Sequence, residues 1–262
     1  MPAESGRVES GRVDPRLGGP RGRAGRVRVM SVAPEDLDPA AAAESLPAAV
    51  LWDLDGTLVD TEPLWFEAEE AMAVRHGAAW SVEHAKNLVG NSLEVSAAYI
   101  RQHMGIALSI EEILEELLVY MEANTAARAT FQPGALELLG ALRDADVPCA
   151  LVTMSYRRLV DPLLPRMGKD AFVATVCGDE VTRGKPHPEA YLRAAELLGV
   201  NPVDCVVIED SPSGAAAGEA SGARVVVVEH LVPVPAGERR VEVPTLDGLG
   251  VAGLMAAVAH LR

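Results

Sequence analysis

The stretch Ala49–Asp60, AVLWDLDGTLVD, decides the fold of this chain. Its apolar residues 49–52 predict a short buried β-strand. Asp53 and Asp55 follow at the end of this strand, and side chains two positions apart in a strand lie on the same face, so we expect the two carboxylates side by side. Gly56 permits a sharp turn directly after them. Taken alone, an Asp-x-Asp-Gly pattern is equally typical of a surface turn, so the rest of the chain must decide.

Length and composition limit the class of protein. The chain has 262 residues, 49% of them apolar with few aromatics, which favours an α/β protein. A net charge of −15 argues against nucleic acid or an anionic membrane as the main partner, and nothing implies a protein partner. No stretch reaches the roughly 18 apolar residues of a membrane span. Three cysteines without metal-ligand spacing predict reduced thiols and a cytoplasmic location.

Residues 1–46 predict a disordered N-terminal extension, because they are rich in Arg, Gly, Pro, Ala and Ser and lack apolar periodicity. Three explanations stay open: a solvated basic tail, an Arg-rich transit-like segment, and a start site placed too far upstream. We favour the last, with Met30 as the true start. Peptides from residues 13–28 in the native protein would rule it out.

The pattern of apolar residues changes twice along the rest of the chain. Residues 61–132 have apolar spacings of three and four and predict an all-helical cap. Residues 133–262 alternate continuously apolar strands with helices, including expected helices over 156–164 and 246–261. This alternation predicts a parallel sheet covered on both faces. Together with residues 47–60 it forms a Rossmann-like, doubly wound α/β core that carries the helical cap as an insert.

Three later signals follow strands of the predicted core. Thr153 ends an apolar strand, where its hydroxyl could donate to a phosphoryl oxygen or, more simply, cap the next helix. Lys185 lies in a proline-stiffened loop and is either held towards a site or exposed. Glu209 and Asp210 end another apolar strand. Carboxylates gathered at one sheet edge repel each other, and Mg²⁺ is the cation that best suits such oxygen ligands.

In order and type these motifs resemble the haloacid dehalogenase superfamily. The resemblance rests on DLDGT at 53–57, then Thr153, Lys185 and the acidic pair 209–210, and it covers about residue 47 to residue 230. The position of the cap resembles the subgroup of β-phosphoglucomutase and sugar-phosphate phosphatases. The resemblance implies a Mg²⁺-dependent phosphatase that hydrolyses a small phosphomonoester, such as a sugar phosphate.

The resemblance also implies the role of each residue. Asp53 would be the nucleophile and form an aspartyl-phosphate. Asp55 would protonate the leaving oxygen and then take a proton from water. Thr153 and Lys185 would bind the phosphate oxygens. Mg²⁺ would be held by Asp53, the backbone carbonyl of Asp55 and Asp210, with Glu209 adjacent or acting through water.

A phosphomutase is the alternative function within the same superfamily. β-Phosphoglucomutases have a histidine and an arginine where this chain has Trp65 and Leu93, so we favour the phosphatase. Lys86 is the one lysine of the predicted cap, and we expect it on a helix surface rather than in a Schiff base. A catalytically idle binding module is a third possibility that no sequence feature requires. We expect Trp65, Asn91 and Ser92 to select the substrate.

Overall fold

The computed structural model describes residues 46–168, 170–228 and 230–261. The predicted disordered extension therefore lies outside the described residues, apart from the exposed Leu46, and so does the proposed start at Met30. The strands are β1 Ala49–Trp52, β2 Val59–Asp60, β3 Thr130–Phe131, β4 Cys149–Val152, β5 Ala174–Val176, β6 Cys205–Glu209, β7 Arg224–Val228 and β8 Arg240–Val243. The α-helices are α1 Glu62–Arg75, α2 Val82–Lys86, α3 Leu93–Met104, α4 Ile110–Arg128, α5 Ala135–Asp144, α6 Arg157–Val160, α7 Glu189–Leu198, α8 Pro212–Ala220 and α9 Gly250–Val258.

Six strands form one parallel sheet in the order β5-β4-β1-β6-β7-β8. The opening strand β1 lies at its centre, where Leu51 is paired with Ala150 of β4 and Val207 of β6. Alternate side chains of β1 enter different core layers: Trp52 packs in one layer and Leu51 in the other. Helices α5 and α9 cover the first layer, and α7 and α8 cover the second. The predicted doubly wound α/β fold is confirmed.

Helices α1 to α4 lie between β2 and β3 in the chain, and these two short strands pair antiparallel with Val59 opposite Phe131. The two connections between the helices and the sheet therefore run side by side. Two-residue strands carry too little apolar pattern to be read from the sequence. Residues 61 and 132 as limits of a cap domain stay a prediction.

Other element predictions need correction. The helix expected over 156–164 is shorter, since α6 is followed by a turn and a 3-10 helix at Leu164–Met167. Pro162 and Pro165 lack the backbone N–H groups that a continuous α-helix needs there. The last helix begins only at Gly250, and strand β8 was not predicted. A helix able to cross a membrane would have to be longer and more apolar than any in the described segments.

Candidate active site

The carboxyl ends of three adjacent central strands meet at one edge of the sheet. Asp53 follows β1, Thr153 follows β4, and Asp210 follows β6. Lys185 reaches the same place from the segment between β5 and α7. The end of a parallel sheet is where α/β proteins commonly bind their ligands, because the strands deliver their following loops to one side.

Lys185 is the cation of this site and is buried, with 5% of its surface exposed. Its Nζ donates to Asp53 Oδ1 and to Glu209 Oε1, each at 2.6 Å, and to the Val152 carbonyl at 3.0 Å. Burial by itself lowers the pKa of Lys185, but the two carboxylates outweigh burial and raise the pKa above its usual value. The alternative of an exposed loop lysine is therefore wrong.

Glu209 is saturated with hydrogen bonds. Its Oε1 accepts from Lys185 and from the Tyr191 hydroxyl at 2.8 Å. Its Oε2 accepts from the backbone N–H groups of Asp210 and Ser211 and from the Ser211 hydroxyl. Gly214 packs against the carboxylate so closely that a Cβ there would overlap it. These bonds hold Lys185 in place and leave Glu209 poorly suited to bind a metal directly, while its expected role through water stays a prediction.

Asp53 and Asp210 have the character expected of metal ligands. One oxygen each of Asp53, Glu209 and Asp210 lies within 4.8 Å of the others. Asp210 Oδ2 is buried without a hydrogen-bond partner in the described part of the chain, and Thr57 contacts only Oδ1, at 3.4 Å. Gly56, with φ +87°, lies against Asp210, and a Cβ at that position would overlap its carboxylate. The unpartnered oxygen and this cramped backbone fit a small cation such as Mg²⁺.

Burial makes these carboxylates costly in the absence of a cation. Burial and then the charge of Glu209 raise the pKa of Asp53 to about 8, although Lys185 acts in the opposite direction. Burial, followed by the charges of Asp53 and Glu209, raises the pKa of Asp210 well above its usual range. Both carboxylates therefore bind protons readily unless a cation takes the place of those protons.

Asp55 is held by three hydroxyl groups. Its Oδ1 accepts from Thr61 at 2.7 Å, and its Oδ2 accepts from Thr153 at 2.9 Å and from Ser155 at 2.8 Å. The Thr153 hydroxyl donates to Asp55 and accepts from the Ser155 backbone N–H at 2.9 Å, so its proton is not directed at a phosphate oxygen. That corrects the expected orientation of Thr153. Thr61 and Ser155 were missed, although Ser155 lies only two positions beyond Thr153 at the same strand end.

The cap helices close the cavity above these residues. Trp65 and Asn91 line it together with Asp53, Asp55 and Lys185. Ser92 does not line the cavity: its hydroxyl accepts from Val95 N and caps α3 instead, so its expected contact with substrate is corrected. Two further lining residues, Glu62 and Glu69 of α1, were also missed.

Contacts between cap and core fix this closed arrangement. The Ser213 hydroxyl donates to the Gly90 carbonyl at 2.6 Å. Tyr156 donates to Glu94, and Arg158 pairs with Glu115 at 2.9 Å. Lys86 was expected on a helix surface, and it lies there with its Nζ 3.8 Å from Glu83 Oε1. The loop that contains Gly90 and Asn91 thus lines the same cavity as the carboxylates.

Comparison with known proteins identifies the family of this chain. A family model for haloacid dehalogenase-like hydrolases matches residues 47–222. Hexitol phosphatase A of Escherichia coli is 35% identical over 71% of this chain and 84% of its own length. A phosphorylated carbohydrates phosphatase of Thermotoga maritima is 32% identical over 66% and 81%.

Solved structures agree with the sequence comparisons. CbbY from Rhodobacter sphaeroides, in complex with phosphate, superposes with a TM-score of 0.71 at 27% identity and covers 80% of this chain and 99% of its own. A mutant of the same protein, 26% identical, was solved with xylulose-(1,5)-bisphosphate. The resemblance inferred from the motifs is confirmed, and the chain belongs to the haloacid dehalogenase-like hydrolases.

Proposed function

We propose that this hydrolase is a Mg²⁺-dependent phosphatase that cleaves a small phosphomonoester, a sugar phosphate or related metabolite, through an aspartyl-phosphate on Asp53. The observation that carries the proposal is the Asp53–Lys185 pair at 2.6 Å, set in a cavity that also contains Asp55 and Asp210. The relatives named as carbohydrate and hexitol phosphatases support the substrate class. A cytoplasmic location stays a prediction.

Asp53 has one oxygen bonded to Lys185, which leaves the other oxygen to attack phosphorus. The new P–O bond forms as the bond to the leaving alcohol breaks, and Lys185 neutralises charge on the phosphate oxygens. Asp53, Asp210 and the backbone carbonyl of Asp55 would hold Mg²⁺, which when bound would offset the negative charges of the nucleophile and the phosphate.

Asp55 would move the protons. When it carries a proton, it can give that proton to the leaving alcohol oxygen, and the resulting carboxylate can then deprotonate the water that hydrolyses the aspartyl-phosphate. The hydroxyls of Thr61, Thr153 and Ser155 fix its orientation for both steps. A hydroxyl both donates and accepts, so these three contacts serve either protonation state of Asp55.

The test is hydrolysis of p-nitrophenyl phosphate with Mg²⁺, compared between wild type and Asp53→Asn. We expect the variant to lose activity while remaining folded, because an amide is a far poorer nucleophile than a carboxylate. Asp144→Asn is the matched control, since Asp144 lies on the surface with 74% of its side chain exposed. A wild type that is no faster than Asp53→Asn would refute the proposal.

No described feature favours the phosphomutase alternative. Trp65 lines the cavity, and so does Leu93, where the mutase resemblance calls for a histidine and an arginine. An indole and an aliphatic side chain can neither carry the proton nor bind the second phosphate in the way that the mutase resemblance implies. Formation of an isomerised sugar phosphate with little free phosphate released would reverse this preference.

A further inference from the structure

Two buried carboxylates on the cap side of the cavity have no part in the proposed chemistry. Glu62 and Glu69 are seven residues apart on α1 and therefore lie on the same side of the helix, two turns apart. Both line the cavity, with 6% and 3% of their surfaces exposed. Buried carboxylates normally carry partners, because removing an unpaired charge from water is costly.

The partners of these two carboxylates are incomplete. Glu69 Oε2 accepts from the Trp80 indole N–H at 2.9 Å, and its other oxygen has no hydrogen bond within the described residues. Glu62 has no hydrogen bond and no ion pair with any described residue, although it is more than nine-tenths buried and lines the cavity. Within the described residues, both oxygens of Glu62 and one oxygen of Glu69 thus lack donors, and both residues line the cavity.

The charge of the cavity lining limits what can satisfy these oxygens. Among the described residues that line it, Lys185 is the only cation, and Lys185 is already bonded to Asp53 and Glu209. The cap side adds polar groups such as Ser96 and Asn91 to the two glutamates, and the rest of its lining is mainly apolar. A second phosphate would meet carboxyl groups here and no cation to pair with, whereas hydroxyl groups would find acceptors.

We infer that Glu62 and Glu69 form a subsite for the hydroxyl groups of a polyhydroxylated leaving alcohol, and that this subsite selects sugar or polyol monophosphates over bisphosphates. The inference rests on the proposed function and adds recognition of the substrate's hydroxyl groups to recognition of its phosphate. Glu69 is the specificity-determining residue that can be tested most cleanly, because its partner Trp80 does not line the cavity. Trp80 acts through Glu69 and is a positioning residue.

Glu69→Gln reverses the polarity of this subsite without changing its size. The Trp80 N–H needs an acceptor, so the glutamine carbonyl oxygen will face Trp80 and the NH₂ group, a donor, will face the cavity. We expect the ratio of kcat/KM for sorbitol phosphate to kcat/KM for p-nitrophenyl phosphate to fall roughly tenfold, since the cavity loses the acceptor to which a substrate hydroxyl would donate. The ratio for fructose bisphosphate over sorbitol phosphate should rise.

Two further variants keep the test decisive. Glu70→Gln removes the same charge from the neighbouring, exposed position on α1 and should leave both ratios unchanged. Trp80→Phe keeps a ring at that position but removes the donor, and should lower the sorbitol phosphate ratio mainly through KM. It also reports on the subsite if Glu69→Gln fails to fold.

The outcomes separate this inference from the proposed function. A wild type without activity on any of the three substrates would refute the proposed function, and the subsite with it. If the wild type is active, but Glu69→Gln slows the hydrolysis of sorbitol phosphate and of p-nitrophenyl phosphate by the same factor, the subsite alone is refuted. Wild-type preference for fructose bisphosphate over sorbitol phosphate would do the same.

Discussion

Replacing Lys185 by Met removes the cation to which two buried carboxylates are bonded. The Lys185 side chain is 2% exposed, and those of Asp53 and Glu209 are 8% and 0% exposed, so water cannot take over as partner. Removing one partner of a buried ion pair costs about 3–5 kcal/mol. In a protein of this size each kcal/mol lowers Tm by about 2–4 °C, so we expect a fall of roughly 6–20 °C.

The measurement is thermal and urea unfolding at neutral pH in EDTA, so that no metal replaces the lost charge. Lys86→Met is the matched control, because Lys86 is 40% exposed and its nearest carboxylate, Glu83, is 3.8 Å away. The double variant Lys185→Met/Glu209→Gln should recover part of the lost stability, since the glutamine leaves no unpaired charge at that position. Equal unfolding midpoints for Lys185→Met and Lys86→Met would refute the argument that this buried pair supports the fold.

Three other perturbations test separate parts of the structure. Gly214→Ala should lower the free energy of unfolding by about 1–3 kcal/mol in urea titrations, because the new Cβ would overlap Glu209. Gly140→Ala is the control: a Cβ there would have its nearest neighbouring atom at 4.0 Å, so this variant should be neutral or stabilising. EDTA should abolish turnover without unfolding the protein by circular dichroism, and added Mg²⁺ should restore it; cooperative unfolding at ambient temperature would contradict this. The metal-free protein should lose stability as pH rises from about 5 to 8. Burial first, and then nearby carboxylates, raise the pKa of Glu62 from 4.5 to about 8. In this pH range the folded state therefore binds one more proton at Glu62 than the unfolded state does, and this source of stability is lost as the pH rises. Glu62→Gln should flatten that slope by up to about 1.4 kcal/mol per pH unit, and an unchanged slope would show that Glu62 does not titrate as argued.

The central part of the site could be predicted because it depends on local rules. An apolar run followed by Asp53 indicates a strand end, and strand ends of a parallel sheet share one edge, so Asp53 and Asp210 were expected together. Lys185 is near in space but not in the sheet, and only the motif order indicated it. The fold class followed from the alternation of strands and helices. The edge strand β8 was not predicted, because it has only four residues and follows a proline-rich segment.

The partners of the site residues could not be predicted, because they depend on how separate elements pack. Tyr191 lies on α7, and its hydroxyl meets Glu209 only after α7 packs on the sheet. Thr153 was expected at a phosphate, yet its proton goes to Asp55, a choice that depends on distances within the folded chain. Glu69 lies in a segment whose pattern predicts only a helix, and nothing local distinguishes a cavity-lining glutamate from a solvated one.

The charge of the site supports the proposal that a cation takes part in its chemistry. Asp53, Glu209 and Asp210 bring three negative charges if all are ionised, and Lys185 returns one positive charge, which leaves two negative charges in a buried space. Without a metal, Asp53 and Asp210 bind protons readily, as their raised pKa values show, but a protonated Asp53 cannot attack phosphorus. One divalent ion cancels the same charge and leaves the nucleophile ionised. Protons and a metal ion would therefore compete to neutralise the same charge, and of the two only the metal would leave Asp53 able to make the proposed attack.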